Sequence, residues 1–328
     1  MVRRQIQIPG NLEGPVTRTN YCVNTSPVRY DWPEKMTMQV ALEQVPDPEN
    51  TGEQFPSSSI LQRLRVSLRA EKSFIEEFPT MSVMKTPVAV VTGASSGIGA
   101  ATVRHLVKEG FDVVMGARRI DRLEELAGET GARALPLDVT DVASVDAFCS
   151  RIDRCDVLVN NAGGALGADS IADADEADWT AMFDVNVLGV LRVTQRLLPR
   201  LRESENATVV SIGSIAGREP YLGGGGYNAA KHAVTALTRV LRLELLGEPI
   251  RVCQIDPGMV ETEFSMVRFG GDKARADAVY AGADPLTADD IAECVAWVVT
   301  RPSRVNVDSM LVLARDQTSA QRVHRRTV

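Results

Sequence analysis

The chain has 328 residues, with 36 Lys or Arg against 43 Asp or Glu and a formal net charge of −7. That balance argues against nucleic acid or an anionic membrane surface as the main partner. A hydrophobic fraction of 44 % with 24 % charged residues is the composition of a soluble globular protein. No apolar run approaches a membrane span, and Arg3-Arg4 is not followed by the apolar core of a leader. The five cysteines include no Cys-x-x-Cys pair and the three histidines lie far apart. The thiols therefore read as packing residues in a reducing cytoplasm, with no metal expected.

Residues 1–83 hold eight of the sixteen prolines and no clear strand alternation. This stretch reads as a poorly ordered extension, with one short helix around Ser59 to Phe78, where Ile60, Leu64 and Leu68 share a face. It is either an accessory segment or an upstream extension, with Met81 or Met84 as the working start. Residues 84–328 form a single domain.

From Thr86 onward, short apolar runs alternate with helical patterns. Strands are expected at Val88–Thr92, Phe111–Met115, Ala134–Leu137, Asp156–Asn160, Val209–Ile212, Arg251–Ile255 and Asn306–Leu313. Helices are expected at Ile98–Glu109 (closed by Gly110), from Asp121, at Val142–Cys149, as a long pair over Glu176–Arg202, and at Tyr227–Leu246 and Ala288–Val299. The run Gly223–Gly226 reads as a loop. About seven strands alternating with helices predict an α/β three-layer, doubly wound parallel sheet. Right-handed crossovers place the carboxyl ends of its strands along one edge, where ligands bind.

The loop after the first strand reads Thr92-Gly93-Ala94-Ser95-Ser96-Gly97-Ile98-Gly99. Gly93 permits the turn, Gly97 lets the backbone approach a pyrophosphate, and Gly99 lets the helix pack closely. Free amides at the helix start, with the Ser95 and Ser96 hydroxyls, suit an anion. After the second strand stand Arg118 and Arg119 rather than a carboxylate, which favours a 2′-phosphate and therefore NADP over NAD. Asp138 and Val139 follow the third strand at the expected adenine edge. Asn160-Asn161-Ala162-Gly163 follows the fourth, where small residues and amides suit a crowded crossing beside the cofactor. Asp256-Pro257-Gly258-Met259-Val260-Glu261-Thr262 follows the sixth and is placed to meet the carboxamide end of a dinucleotide.

Tyr227 and Lys231, four apart on one helix, lie on the same face. A fixed ammonium would favour the phenolate of a tyrosine, whose ordinary pKa is about 10. Ser214 falls at the carboxyl end of the fifth strand. Asn186, in a mostly apolar helix, must find polar partners or bear the cost of burial. Two cations, Arg268 in the segment after the sixth strand and Arg218 just beyond Ser214, are candidates to receive an acidic substrate. The apolar residues around the Tyr227 helix and the helix from Val187 to Leu201 predict a second covered face, hence an oligomer.

Taken together, Thr92-Gly93-x-x-x-Gly97-Ile98-Gly99, Asn160-Asn161-Ala162-Gly163, Ser214, Tyr227-x-x-x-Lys231 and Pro257-Gly258 resemble the short-chain dehydrogenase/reductase family from about Thr86 to the C-terminus. The resemblance implies a Rossmann-type fold with Tyr227 as general acid/base and Ser214 hydrogen-bonded to the substrate oxygen. It further implies that Lys231 lowers the tyrosine pKa and holds the nicotinamide ribose, and that Asn186 anchors a relay water. The family's usual assembly is a homotetramer. Glu263 to Lys273, Val305-Asn306-Val307 and the tail Val323-His324-Arg325 are similar to NADP-dependent 3-hydroxy acid dehydrogenases acting on L-allo-threonine, serine and 3-hydroxypropionate or malonic semialdehyde. A reductase of bulkier ketones or 3-oxoacyl groups is the alternative within the family. A non-catalytic NADP-binding regulator is the alternative outside catalysis.

Overall fold

The computed structural model describes residues 86–326. The expected 59–78 helix and the 1–83 extension lie outside them. Seven strands form one sheet: β1 (Val88–Thr92), β2 (Asp112–Ala117), β3 (Arg133–Pro136), β4 (Val157–Asn160), β5 (Ala207–Ile212), β6 (Ile250–Pro257) and β7 (Ser309–Val312). Their order is β3-β2-β1-β4-β5-β6-β7, and each neighbouring pair is parallel. The direction of winding reverses between β1 and β4, which opens a crevice above their carboxyl ends.

Alternation along the strands builds two cores. Ala89, Val91, Val113, Met115, Val157, Val159, Cys253 and Ile255 face one side of the sheet. There they meet α1 (Gly97–Lys108), α2 (Ile120–Thr130) and α9 (Ala288–Val299) through residues such as Leu106, Leu123 and Val295. Val90, Val114, Leu158, Val209 and Val252 face the other side, against α3 (Val142–Cys149) and α5 (Gly189–Arg202) through Phe148, Leu197 and Leu201. Strands apolar on both faces are what a helix-covered parallel sheet requires. Each fully buried Leu or Phe contributes about 1.5–3 kcal/mol through removal from water. The expected doubly wound sheet is therefore present. Cys149, Cys155 and Cys253 are buried free thiols within these cores.

Three departures from the sequence reading bear on the site. The glycine run is not all loop: α6 (Gly225–Glu244) begins inside it, because Trp179 and Met182 of α4 (Glu176–Phe183) pack where Cβ atoms of Gly225 and Gly226 would sit. Beyond β6 the chain forms two short helices, α7 (Phe264–Arg268) and α8 (Lys273–Tyr280). The last strand is shorter than its apolar pattern suggests. Asn306 instead pairs its side-chain amide with both the N–H and the C=O of Val252 (2.8 and 3.1 Å), imitating a ladder residue.

Candidate active site

A cleft of about 780 Å³ runs along the carboxyl edge of the sheet, from the β1 loop to the β6–α7 segment. At one end lies the glycine loop. Gly93 holds φ +67°, and a Cβ on Gly99 would overlap the Gly93 carbonyl and the Asn161 amide, so only glycine lets α1 start this close to the strand. Ser95, Ser96, Gly97 and Ile98 line the cleft at this start. They stand at the N-terminal end of a twelve-residue helix, the end whose amides favour an anion.

Arg119 reaches over the loop, donating to Ser96 Oγ (2.6 Å) and Ser95 Oγ (3.2 Å). Arg118 lines the same wall and is exposed. Glu263, at the start of α7, accepts from both Arg119 (2.9 Å) and Arg122 (2.6 Å). These two guanidinium groups hold the Glu263 carboxyl below its ordinary value. Asp138 and Val139 line the far wall, where the Asp138 carboxylate accepts from the Thr140 amide and hydroxyl.

Of the paired amides at the end of β4, both expected beside the cofactor, only Asn161 reaches the cleft, which corrects the expectation for Asn160. Asn160 is buried beneath the sheet, donating to Thr194 Oγ1 of α5 (3.0 Å), and does not line the cleft. Asn161 lines it instead and donates to the carbonyls of Thr92 and Gly93 (3.0 and 3.1 Å). Strand alternation is the reason: consecutive residues point to opposite faces. The Asn161 and Ala162 amides both donate to Thr92 Oγ1 (3.1 and 3.0 Å), stitching β4 to β1 across the crevice. Ala162, Gly163, Pro257, Gly258, Val260 and Thr262 all line the cleft.

At the other end, Ser214, Tyr227 and Lys231 share the cleft wall. Ser214 stands two residues beyond β5 and caps the 3₁₀ turn Ile215–Gly217, its hydroxyl accepting from the Ala216 amide (3.1 Å). Tyr227 and Lys231 come from the first turns of α6 and are both buried. Burial pushes the Tyr227 phenol well above its ordinary value; the Ser214 hydroxyl and the Arg268 charge oppose that rise. Burial also pushes the Lys231 ammonium down, to about 8. The expected lowering of the tyrosine by the lysine is thus not what this geometry produces. Lys231 Nζ sits 5.8 Å from the ring centroid and donates to the Ile212 carbonyl (2.9 Å) rather than to the phenol. Desolvation is the largest cause of both shifts.

Asn186 lies behind this wall rather than on it. It sits in a π-helical turn, Asp184–Leu188, between α4 and α5. Its amide donates to the carbonyls of Met182 and Gly164 (2.7 and 2.8 Å) and its oxygen accepts from the Gly164 amide (3.3 Å). The burial cost anticipated from sequence is met by these partners, and Gly163 provides the space for the Asn186 oxygen.

The two candidate cations separate. Arg268, on α7, lines the cleft and donates to the Gly167 carbonyl (2.8 Å), the Tyr221 hydroxyl (2.9 Å) and the Gly223 carbonyl (3.2 Å). Arg218 turns away from the cleft and pairs with the fully buried Asp256 (2.7 Å). Its assignment as a substrate cation is therefore corrected, because the 3₁₀ turn Ile215–Gly217 reverses the chain after Ser214. The C-terminal tail, similar in sequence to 3-hydroxy acid dehydrogenases, also forms part of the cleft. Gln317, Ala320, Gln321, Val323 and Arg325 close one side of it. Arg325 donates to the Val279 and Ala281 carbonyls at the end of α8. No periodicity announces such a strap, since its bonds are to backbone atoms far away in sequence.

A parallel sheet with a glycine cradle at its switch point, and a serine, tyrosine and lysine on the same wall, defines a nucleotide-dependent oxidoreductase of one architecture. The chain matches the short chain dehydrogenase family over residues 87–272, and it belongs to that family. It is similar to an uncharacterized oxidoreductase of Mycobacterium tuberculosis, with 58 % identity over 235 residues covering 72 % of this chain and 94 % of that one. It is also similar to the NADP-dependent 3-hydroxy acid dehydrogenase of Schizosaccharomyces pombe, 39 % identical over 257 residues, 75 % and 99 % of the two chains. Among solved structures, the closed form of serine dehydrogenase complexed with NADP+ superposes with a TM-score of 0.69 at 37 % identity, covering 73 % of this chain and all of that one.

Proposed function

We propose that this protein is an NADP-dependent oxidoreductase that interconverts an alcohol and a carbonyl on small 3-hydroxy acids and the matching 3-oxo acids. The observation that carries the reading is one cleft holding both the Gly93–Gly99 cradle under Arg119 and the Ser214–Tyr227–Lys231 cluster. The residues present fit the dinucleotide: the loop puts Gly93, Ser95, Ser96 and Gly97 on the cleft wall at the start of α1, and Arg119 and Arg118 stand where a 2′-phosphate calls for cations. NADP supplies the acceptor of a hydride, or in its reduced form the donor.

The chain's own residues manage the proton and the charge. In reduction, Tyr227 donates its phenolic proton to the forming alkoxide while Ser214 hydrogen-bonds the same oxygen; in oxidation Tyr227 takes that proton back. A phenol raised by burial is a poor base by itself, so Lys231 serves by its charge and by holding the nicotinamide ribose. Asn186, fixed in its π turn, supports the relay from behind Gly163. Arg268 is the cation for the acid group, since three of its N–H donors already clamp it at the cleft wall beside Tyr221.

The protein works as a cytoplasmic homotetramer. Supporting this are Val240 and Leu243 of α6, Leu246 just beyond it and Leu191 of α5, exposed in the single chain. Among the described residues no helix is long and apolar enough to cross a membrane. Residues 84–328 are the catalytic domain, preceded by residues 1–83 as an extension, either an accessory segment or sequence upstream of the working start.

The decisive experiment is NADPH oxidation with malonic semialdehyde, other small 3-oxo acids and bulky ketones, in the native enzyme and in Arg268→Ala. The expected outcome is preference for the small acids and a KM about 10- to 100-fold higher in the variant, the worth of a lost charge-assisted contact. Preference for bulky neutral ketones with an unchanged KM would replace the acid assignment by the ketone-reductase reading.

A further inference from the structure

Behind the catalytic serine lies a carboxylate that the proton transfer does not use. Asp256, at the end of β6, has no exposed surface. One of its oxygens accepts from the Ser214 amide (3.1 Å) and from Gln254 Nε2 (2.6 Å). The other accepts from Arg218 Nε and Nη2, each at 2.7 Å. The carboxylate reaches this depth because residue 213 is glycine: a Cβ there would overlap Asp256 Oδ1. Gln254 Nε2 also donates to Thr235 Oγ1 (2.8 Å), and that hydroxyl donates to the Lys231 carbonyl (3.1 Å). The network therefore touches both catalytic segments, the Ser214 turn after β5 directly and the Lys231 turn of α6 through two side chains.

We propose that Asp256 is a positioning residue of the reaction, fixing the Ser214 backbone and the Lys231 turn relative to each other and setting a buried negative charge behind the Tyr227–Lys231 pair. This rests on Ser214, Tyr227 and Lys231 being the reacting cluster. A buried ion pair is a weak source of stability compared with apolar packing of the same volume. A carboxylate held by three residues beside a functional cluster is better explained by what it orients and by its field. The charged and titratable groups that meet this field are Lys231 and Tyr227 of α6, Arg218 of the loop after Ser214, and Cys253 on its own strand; Arg268 of α7 acts on Tyr227 from the other side. The Asp256 charge favours the ammonium form of Lys231 and the neutral form of Tyr227, so it raises the pKa of each. Removing the charge therefore moves the titration to lower pH whichever of the two groups governs the rate.

The test uses the full-length enzyme, with kcat measured from pH 6 to 10, NADP affinity by fluorescence titration and Tm for each variant. Asp256→Asn keeps the shape but turns an NH2 towards Arg218. The double variant Asp256→Asn/Arg218→Met removes that conflict along with both charges. The expected result in both is a kcat about 10- to 100-fold lower and an NADP Kd within about threefold of native, with the kcat–pH limb displaced by about 0.5–1 unit to lower pH in Asp256→Asn and by less in the double variant, where the opposing Arg218 charge is lost as well. A double variant with native kcat and a native pH limb would overturn the proposal and leave Asp256 a structural ion pair only. A loss of kcat that tracks Tm alone, with the limb unmoved, would overturn it equally. Should Asp256→Asn fail to fold, the double variant alone decides. Tyr227→Phe is the parallel control: activity surviving there removes the reacting-cluster reading itself, whereas a dead Tyr227→Phe beside an unaffected double variant removes only the role given to Asp256.

Discussion

The two ends of the cleft are made of different materials. The cradle end is mostly backbone: glycines that leave room, helix amides that point outwards, and two serine hydroxyls capped by Arg119. Its parts lie within eight consecutive residues plus one arginine, and its groups stay within reach of solvent. The reacting end is made of buried side chains from the turn after β5, from α6 and from β6, with the half-buried Arg268 of α7, separated by up to 54 positions between Ser214 and Arg268 in the sequence. There, burial dominates the electrostatics, moving Tyr227 up and Lys231 down. Binding a dinucleotide asks for space and dipoles, which local sequence supplies. Moving a proton asks for groups held at unfavourable ionisation, which only a packed interior can maintain.

Disabling one end and measuring the other separates the two most directly. Tyr227→Phe is expected to lower kcat by about 10³-fold or more while NADP binding, followed by fluorescence, stays within a factor of about two. Gly99→Ala attacks the opposite end. Its methyl meets the Gly93 carbonyl, so NADP affinity should fall about 10- to 100-fold, with Tm lowered as well. Arg119→Ala, which leaves the cradle's shape intact, should weaken NADP by about tenfold and leave NAD nearly unchanged. An NADP/NAD ratio that moves with Arg118→Asp and not with Arg119→Ala would shift the phosphate contact to the more exposed arginine.

The smallest effect expected is on stability, and its sign follows from the lysine. The pKa of Lys231 in the folded protein, about 8, lies below the ordinary 10.5. Between those values the unfolded chain binds more protons, so stability rises with pH through that window. Below pH 8 the cost of burying the ammonium is complete; above about 10.5 it has vanished. Lys231→Met should therefore raise stability by about 1–3 kcal/mol at pH 7, with some of the gain offset by the unpaired Ile212 carbonyl. The gain should shrink towards pH 10, read from Tm across that range. A gain independent of pH would mean that the ammonium is not desolvated in the folded state.

How much of this could be read from the chain follows the same division. The 97–108 and 288–299 helices and the β1–β6 strands announce themselves through capping, period and apolar runs, because neighbouring residues set those patterns. Asn160 and Asn161 show the first limit: one position of strand phase decides which amide meets the cleft, and an Asn-Asn pair does not reveal it. Gly225 and Gly226 show the second. Glycine reads as loop, yet here it makes way for Trp179 and Met182, a demand imposed by another helix. The buried network around Asp256 shows the third, since Asp256-Pro257-Gly258 looks like a cofactor contact while the carboxylate points backwards to Arg218 and Ser214.

Written directly into the chain are the order of strands and helices, the glycine cradle, the cationic end of β2 and the spacing of Tyr227 to Lys231. All of these are encoded within a turn or two, where geometry is fixed by local dihedrals and periodicity. Folding in three dimensions was needed to settle that Arg268 faces the cleft while Arg218 leaves it, that the tail from Gln317 to Arg325 closes its side, and that Tyr227 and Lys231 meet at perturbed ionisation. These depend on which distant surfaces exclude water together, and desolvation belongs to the assembled interior rather than to any segment of sequence.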